Sequence, residues 1–168
     1  MRFICPRDFM RFLFDWQRVS ADTRVSGPEA LAGVLAGEIL VQNHCYRADE
    51  MALMMDMAKE FGYRITTFHH ATEAYKLAPQ LAANGICAAM WTGWWGFKME
   101  AFDGIQENIA LVDRPKNGCA IVHSDSDEGI QRLNQEVAKA LANGRRMGID
   151  IPDEVAWTFM AINPARAM

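Results

Sequence analysis

Apolar residues in this chain gather in four short runs at 39–43, 64–68, 86–90 and 119–122. Each run is followed by a segment in which apolar positions recur every three or four residues. Short runs bounded by glycine or polar residues predict strands, and the longer recurrence predicts amphipathic helices. The first helix begins near Ala48, carries Met51, Leu53, Met54, Met57 and Phe61 on its apolar positions, and stops at Gly62. The second is predicted over 71–83 with Asn84-Gly85 as its stop, the third over 102–112, and the fourth over 130–142 with Asn143-Gly144 as its stop. A last helix starts at Pro152 and ends before Asn163-Pro164. Ahead of the first strand, Phe9, Leu13 and Trp16 mark an amphipathic helix over 1–20, and Ser26-Gly27-Pro28-Glu29 opens another that reaches about Gly37. Strand and helix in strict alternation, with nearly continuous apolar strands, predict an α/β fold whose parallel sheet is covered on both faces.

Composition narrows the role more than the fold. A chain of 168 residues, 51% hydrophobic and 23% charged, suffices for one core. Its net charge of −4 and scattered basic residues give no footprint for nucleic acid. No apolar stretch approaches the roughly 20 residues that span a bilayer. Arg2, Arg7, Asp8, Arg11 and Asp15 interrupt any signal-peptide core, so the expected location is cytoplasmic. Cys5, Cys45, Cys87 and Cys119 form no C-x-x-C pair, and Cys87 and Cys119 read as small buried hydrophobes of strands.

The chemistry sits where the strands stop. Asn43-His44-Cys45-Tyr46-Arg47, Phe68-His69-His70 and His123-Ser124-Asp125-Ser126-Asp127 each follow an apolar run. In alternating β/α chains these positions converge on one rim of the sheet, where ligands bind. Imidazoles and a carboxylate converging there are donors for a divalent metal. Adjacent strand residues point to opposite faces, so only one of His69 and His70 is expected to face the rim. Glu73 lies one turn further on, where it is expected to orient an imidazole or to act as a helix-start acid. Ser126 and Asp127 read as helix caps, whereas Asp125 sits at the strand end, placed for general-base work. Trp91, Trp94 and Trp95 share a loop with Gly93 and Gly96 that lines a pocket or packs beneath it.

Taken together, the strings 41–51, 68–76, 94–101, 124–126, 132–136 and 163–165 resemble the amidohydrolase superfamily, in its imidazolonepropionase-like branch. The resemblance runs over about residues 29–165. It implies a partial (β/α)8 TIM-type barrel of about four parallel βα units spanning 29–168, preceded by an N-terminal helical extension over 1–28. It implies metal ligands His44, His70 and Asp125, with zinc as the expected ion and Asp125 as the catalytic proton carrier. Tyr46, Arg47, His69, Trp94 and Trp95 would shape a pocket for a small-molecule substrate. The implied reaction is metal-dependent hydrolysis of amide, cyclic amide or dipeptide-like C–N bonds. The family's H-x-H pair is missing, because the four histidines are His44, His69, His70 and His123. The chain therefore resembles the C-terminal half of a barrel, and a full barrel needs about 250 residues. Left open, the edges at 39–43 and 119–122 imply a homo-oligomer or a complementing barrel half. The alternative is an inactive fragment that at most binds metal or oligomerises.

Overall fold

The computed structural model describes residues 27–94 and 96–168. The helix expected over 1–20, and most of the extension expected over 1–28, lie outside these residues. Helix α1 (Gly27–Leu35) leads to strand β1 (Val41–Cys45), helix α2 (Ala48–Phe61) and strand β2 (Ile65–His70). Helix α3 (Ala78–Asn84), strand β3 (Cys87–Met90), helix α4 (Asn108–Asp113) and strand β4 (Ala120–Val122) follow. Helices α5 (Leu133–Arg146), α6 (Asp153–Thr158) and α7 (Ile162–Ala167) close the chain. The four strands form one parallel sheet in sequence order. Parallel neighbours joined by helices are the repeating unit of an α/β barrel wall.

The register places Cys45, His70, Met90 and Val122 in one row, with His44, His69, Ala89 and Ile121 in the row before it. Alternation then divides the side chains between the two faces. Phe68, Ala88, Met90, Ala120 and Val122 join the main core with Met51, Leu81, Ile109, Val137 and Phe159. Cys87, Ala89, Cys119 and Ile121 lie on the other face, against Ala167 of α7. That helix and the Phe159 residue ahead of it also close the β4 edge. The Asn163 Nδ2 group donates to the Ala120 carbonyl at 2.8 Å, and the Val122 N–H donates to the Phe159 carbonyl at 3.0 Å. The edge expected to lie open at 119–122 is thus hydrogen-bonded. Among the described residues no strand pairs with the outer edge of β1.

Several boundaries differ from the sequence reading. β1 begins two residues later than expected, and Ile39 and Leu40 stay exposed. The helix expected over 71–83 is a 3-10 turn at Ala74–Lys76 followed by α3, with Pro79 in the first turn, where its missing N–H costs nothing. α5 runs straight through Asn143-Gly144. Gly144 serves packing there, since a Cβ would sit 3.0 Å from the Ala110 Cβ, and the Asn143 amide donates to the Gln106 carbonyl. Asn163-Pro164 opens α7, with Pro164 in its first turn, and does not end the helix before it. Cys87 and Cys119 are joined in a disulfide with a Cα–Cα distance of 4.6 Å. Both are buried, as read from the sequence, but they are paired with each other and are not free thiols. They sit side by side because the β3–β4 register pairs Ala88 with Ala120.

Candidate metal and active site

β1, β2 and β4 deliver their last residues to the same rim. His44 and Cys45 end β1, His69 and His70 end β2, and His123 follows β4 directly. The rim is stitched by backbone hydrogen bonds. Ala71 N–H donates to the Cys45 carbonyl at 2.8 Å and Glu73 N–H to the Tyr46 carbonyl at 3.1 Å. Thr72 Oγ1 donates to the same Tyr46 carbonyl at 3.0 Å.

His70 and Ala71 both adopt left-handed backbone, with φ of 67° and 40°. Two successive non-glycine residues there are strained, and such strain persists only where neighbours over-determine it. Buried Asn108 supplies part of that support. Its Nδ2 donates to the Ala71 carbonyl at 2.9 Å, while its Oδ1 accepts from the Tyr75 N–H at 2.8 Å. The left-handed turn breaks strand alternation at its last residue, so both histidines meet His44. The His69 ring stacks on His44 at 5.1 Å, and His70 Nε2 lies 3.0 Å from His44 Nδ1. His69 Nε2 is also 2.7 Å from Gln42 Oε1.

The other ring nitrogen of His70, Nδ1, lies 3.5 Å from Asp125 Oδ2, and His123 Nδ1 lies 3.7 Å from Asp125 Oδ1. One donor atom from each of His70, His123 and Asp125 falls within 4.8 Å of the others. His70 Nδ1 and His123 Nε2 are buried without a hydrogen-bond partner. Orphaned imidazole nitrogens beside a half-exposed carboxylate fit a divalent cation by number and type of donor. Burial pushes the His123 imidazole down to about 4 against the pull of Asp125, and burial likewise lowers His70 and His69. All three rings are thus neutral at neutral pH, the form that ligates metal.

An aromatic wall backs this cluster. Buried Trp91 lies 4.5 Å from the His70 ring, stacks on His123 at 5.6 Å, and touches Trp94 and Phe97 at 5.3 and 5.5 Å. Tyr46 stacks on His70 at 4.8 Å. The Thr92 hydroxyl donates to the Glu136 carboxylate and fixes the Trp loop to α5.

The structure therefore gathers His44, His69, His70, Asp125, Tyr46 and Trp94, and adds His123 and Trp91. Trp95 lies outside the described residues. Arg47 and Glu73 stand in a neighbouring cleft with Lys76 and Asp103. The Arg47 guanidinium is held by Asp49 at 2.9 Å. Glu73 accepts from the Ala48 N–H at 2.9 Å and pairs with Lys76 at 3.1 Å. Its carboxylate secures the start of α2 and makes no bond to an imidazole, which answers the sequence expectation. His123 carried a signal in the sequence, as a histidine two residues before Asp125, but strand-end counting assigned the rim to Asp125 alone.

No protein-family model matches the chain. Over 53 residues, or 32% of its length, the chain is 40% identical to amidohydrolase tasK of Hapsidospora irregularis, of which it spans 5%. The fold is similar to the crystal structure of an amidohydrolase from Thermotoga maritima MSB8, with a TM-score of 0.67 and 23% identity. That match covers 96% of this chain and 41% of the solved one.

Proposed function

We infer that this chain, an amidohydrolase-superfamily fragment by fold and by local sequence, supplies part of the active site of a metal-dependent hydrolase. The observation that carries the reading is the cluster of His70, His123 and Asp125 at the C-terminal rim of a parallel sheet. Chemistry is sited on that rim in barrels built from βα units. His70, His123 and Asp125, with His44 beside them, would hold a divalent ion, for which zinc suits the nitrogen-rich donor set. When bound there, the ion would supply Lewis acidity toward a carbonyl and toward water.

The chain's own residues do the rest. A half-exposed carboxylate next to a neutral imidazole is placed to move a proton. Asp125 takes one from the attacking water and returns it to the nitrogen of the cleaved C–N bond. The buried wall of Trp91, with Tyr46 and Trp94, keeps bulk water from one side of the site and presents a flat apolar surface to an amide substrate. The substrates that fit the reading are small amides, cyclic amides or dipeptide-like molecules. A complementing barrel half or a second copy, set against the β1 edge, would supply the remaining wall.

The four-stranded sheet and the 41% coverage favour a second reading, an inactive fragment that binds metal or oligomerises. Elemental analysis of the purified full chain and of His70→Ala separates the readings when combined with hydrolysis assays on N-acyl amino acids and their amides. We expect about one zinc per chain, lost in the variant, and turnover that depends on the metal. Bound metal with no turnover selects the second reading, and a folded chain without metal removes the first and leaves the inactive fragment.

A further inference from the structure

We propose that Lys98 anchors a carboxylate on the substrate, so that the molecules this site accepts are amides bearing one free carboxylate a few atoms from the bond to be cleaved. The proposal rests on the hydrolase reading above and names its substrate class. Three cations stand near the rim, and two are already neutralised. Arg47 pairs with Asp49, and Lys76 pairs with both Glu73 and Asp103. Lys98 forms no ion pair among the described residues. Its ammonium instead lies 4.0 Å from the centroid of the Tyr46 ring and 5.5 Å from that of Phe97. Tyr46 in turn stacks on His70, whose Nδ1 faces Asp125. The charge thus stands one aromatic ring away from the hydrolytic cluster.

An ammonium over an aromatic face has one side turned to the ring quadrupole and keeps donors free for an anion on the other. The Tyr46 hydroxyl beside it holds its pKa above the ordinary lysine value, so the group is charged throughout the neutral range. One cation without a second, and without a ring of backbone donors, suits a monoanion. A phosphate dianion would need more positive charge, the more so with Asp125 close enough to feel Lys98. The position also sets the length of the substrate, since the carboxylate and the scissile carbonyl must bracket the Tyr46 ring.

The test measures binding, so it does not depend on turnover. The probes are a ketomethylene isostere of N-acetylleucine and the C-terminal carboxamide of the same isostere, titrated calorimetrically into the zinc-loaded full chain. The expected result is that the wild-type chain prefers the carboxylate by about tenfold, the scale of one charge-assisted contact. Lys98→Met and Lys98→Gln should bring that ratio close to one, Lys98→Arg should keep most of it, and zinc content should stay at the wild-type level. Equal affinities in the wild type, no binding of the carboxylate, or a ratio unchanged in both neutral variants overturns the proposal. Failure of the hydrolase reading shows elsewhere, as a zinc-loaded chain that binds the carboxylate probe but cleaves neither N-acetylleucine nor its amide.

Discussion

The two ring nitrogens of His70 face different neighbours, and this decides which side chains can share one ion. Nε2 looks toward His44 and Nδ1 toward Asp125. An ion held through Nδ1 with Asp125 would therefore take its third donor from His123, and His44 would stay a hydrogen-bond partner that fixes the ring. The resemblance alone implies the other set, His44, His70 and Asp125. Single substitutions tell the two apart. His70→Ala and His123→Ala should each weaken zinc binding by at least roughly tenfold, the lower end of what even outer contacts to a ligand are worth, and His44→Ala should weaken it less. Competition with a chromophoric chelator measures all three. A greater loss in His44→Ala than in His123→Ala would mean that the His70 ring turns over when metal binds.

At the scale of the element, α4 ends on a carboxyl that does not belong in its surroundings. Burial raises the Asp113 pKa to about 6, and the C-terminal end of a helix disfavours negative charge as well. Because the folded value stands above the unfolded value of about 3.9, this group favours the fold fully below pH 3.9 and loses that contribution as pH rises through about 6. Asp113→Asn should then raise the Tm at pH 7.5 by about 3–6 °C, with the gain shrinking toward pH 4. Thermal melts at both pH values check this, and a gain that did not change with pH would refute it. The same scale shows what the sequence made legible. The four strands followed from apolar runs, and the Gly62 stop of α2 was readable because φ of 74° is glycine's territory. Gly144 misled because the same residue type also permits close packing, and the contact with Ala110 is 34 residues away along the chain. His123 was missed for a related reason. Alternation puts one residue per strand end on the rim, but the left-handed turn at His70 and the loop after β4 bring additional rings to it.

For the whole molecule, the open question is what holds together a four-stranded wall that matches 41% of a solved amidohydrolase chain. Three devices stand in for the missing neighbours. α7 lies over the small second face, Phe159 and Asn163 bond the β4 edge, and Cys87–Cys119 ties β3 to β4 across 32 positions. A bond closing a loop of that length restricts the unfolded chain and stabilises the fold by about 3–4 kcal/mol. It also sits awkwardly with a cytoplasmic setting, where thiols are kept reduced. Reduction should therefore lower the Tm by roughly 10 °C for a chain of this size. The Cys87→Ala/Cys119→Ala double variant should melt at the reduced temperature with or without reductant. If reductant leaves the wild-type Tm in place, the packing of α7 and the hydrogen bonds on β4 are sufficient, and the disulfide adds little. Zinc content measured on the same samples should hardly change, because the disulfide lies at the opposite end of β3 and β4 from His123 and Asp125.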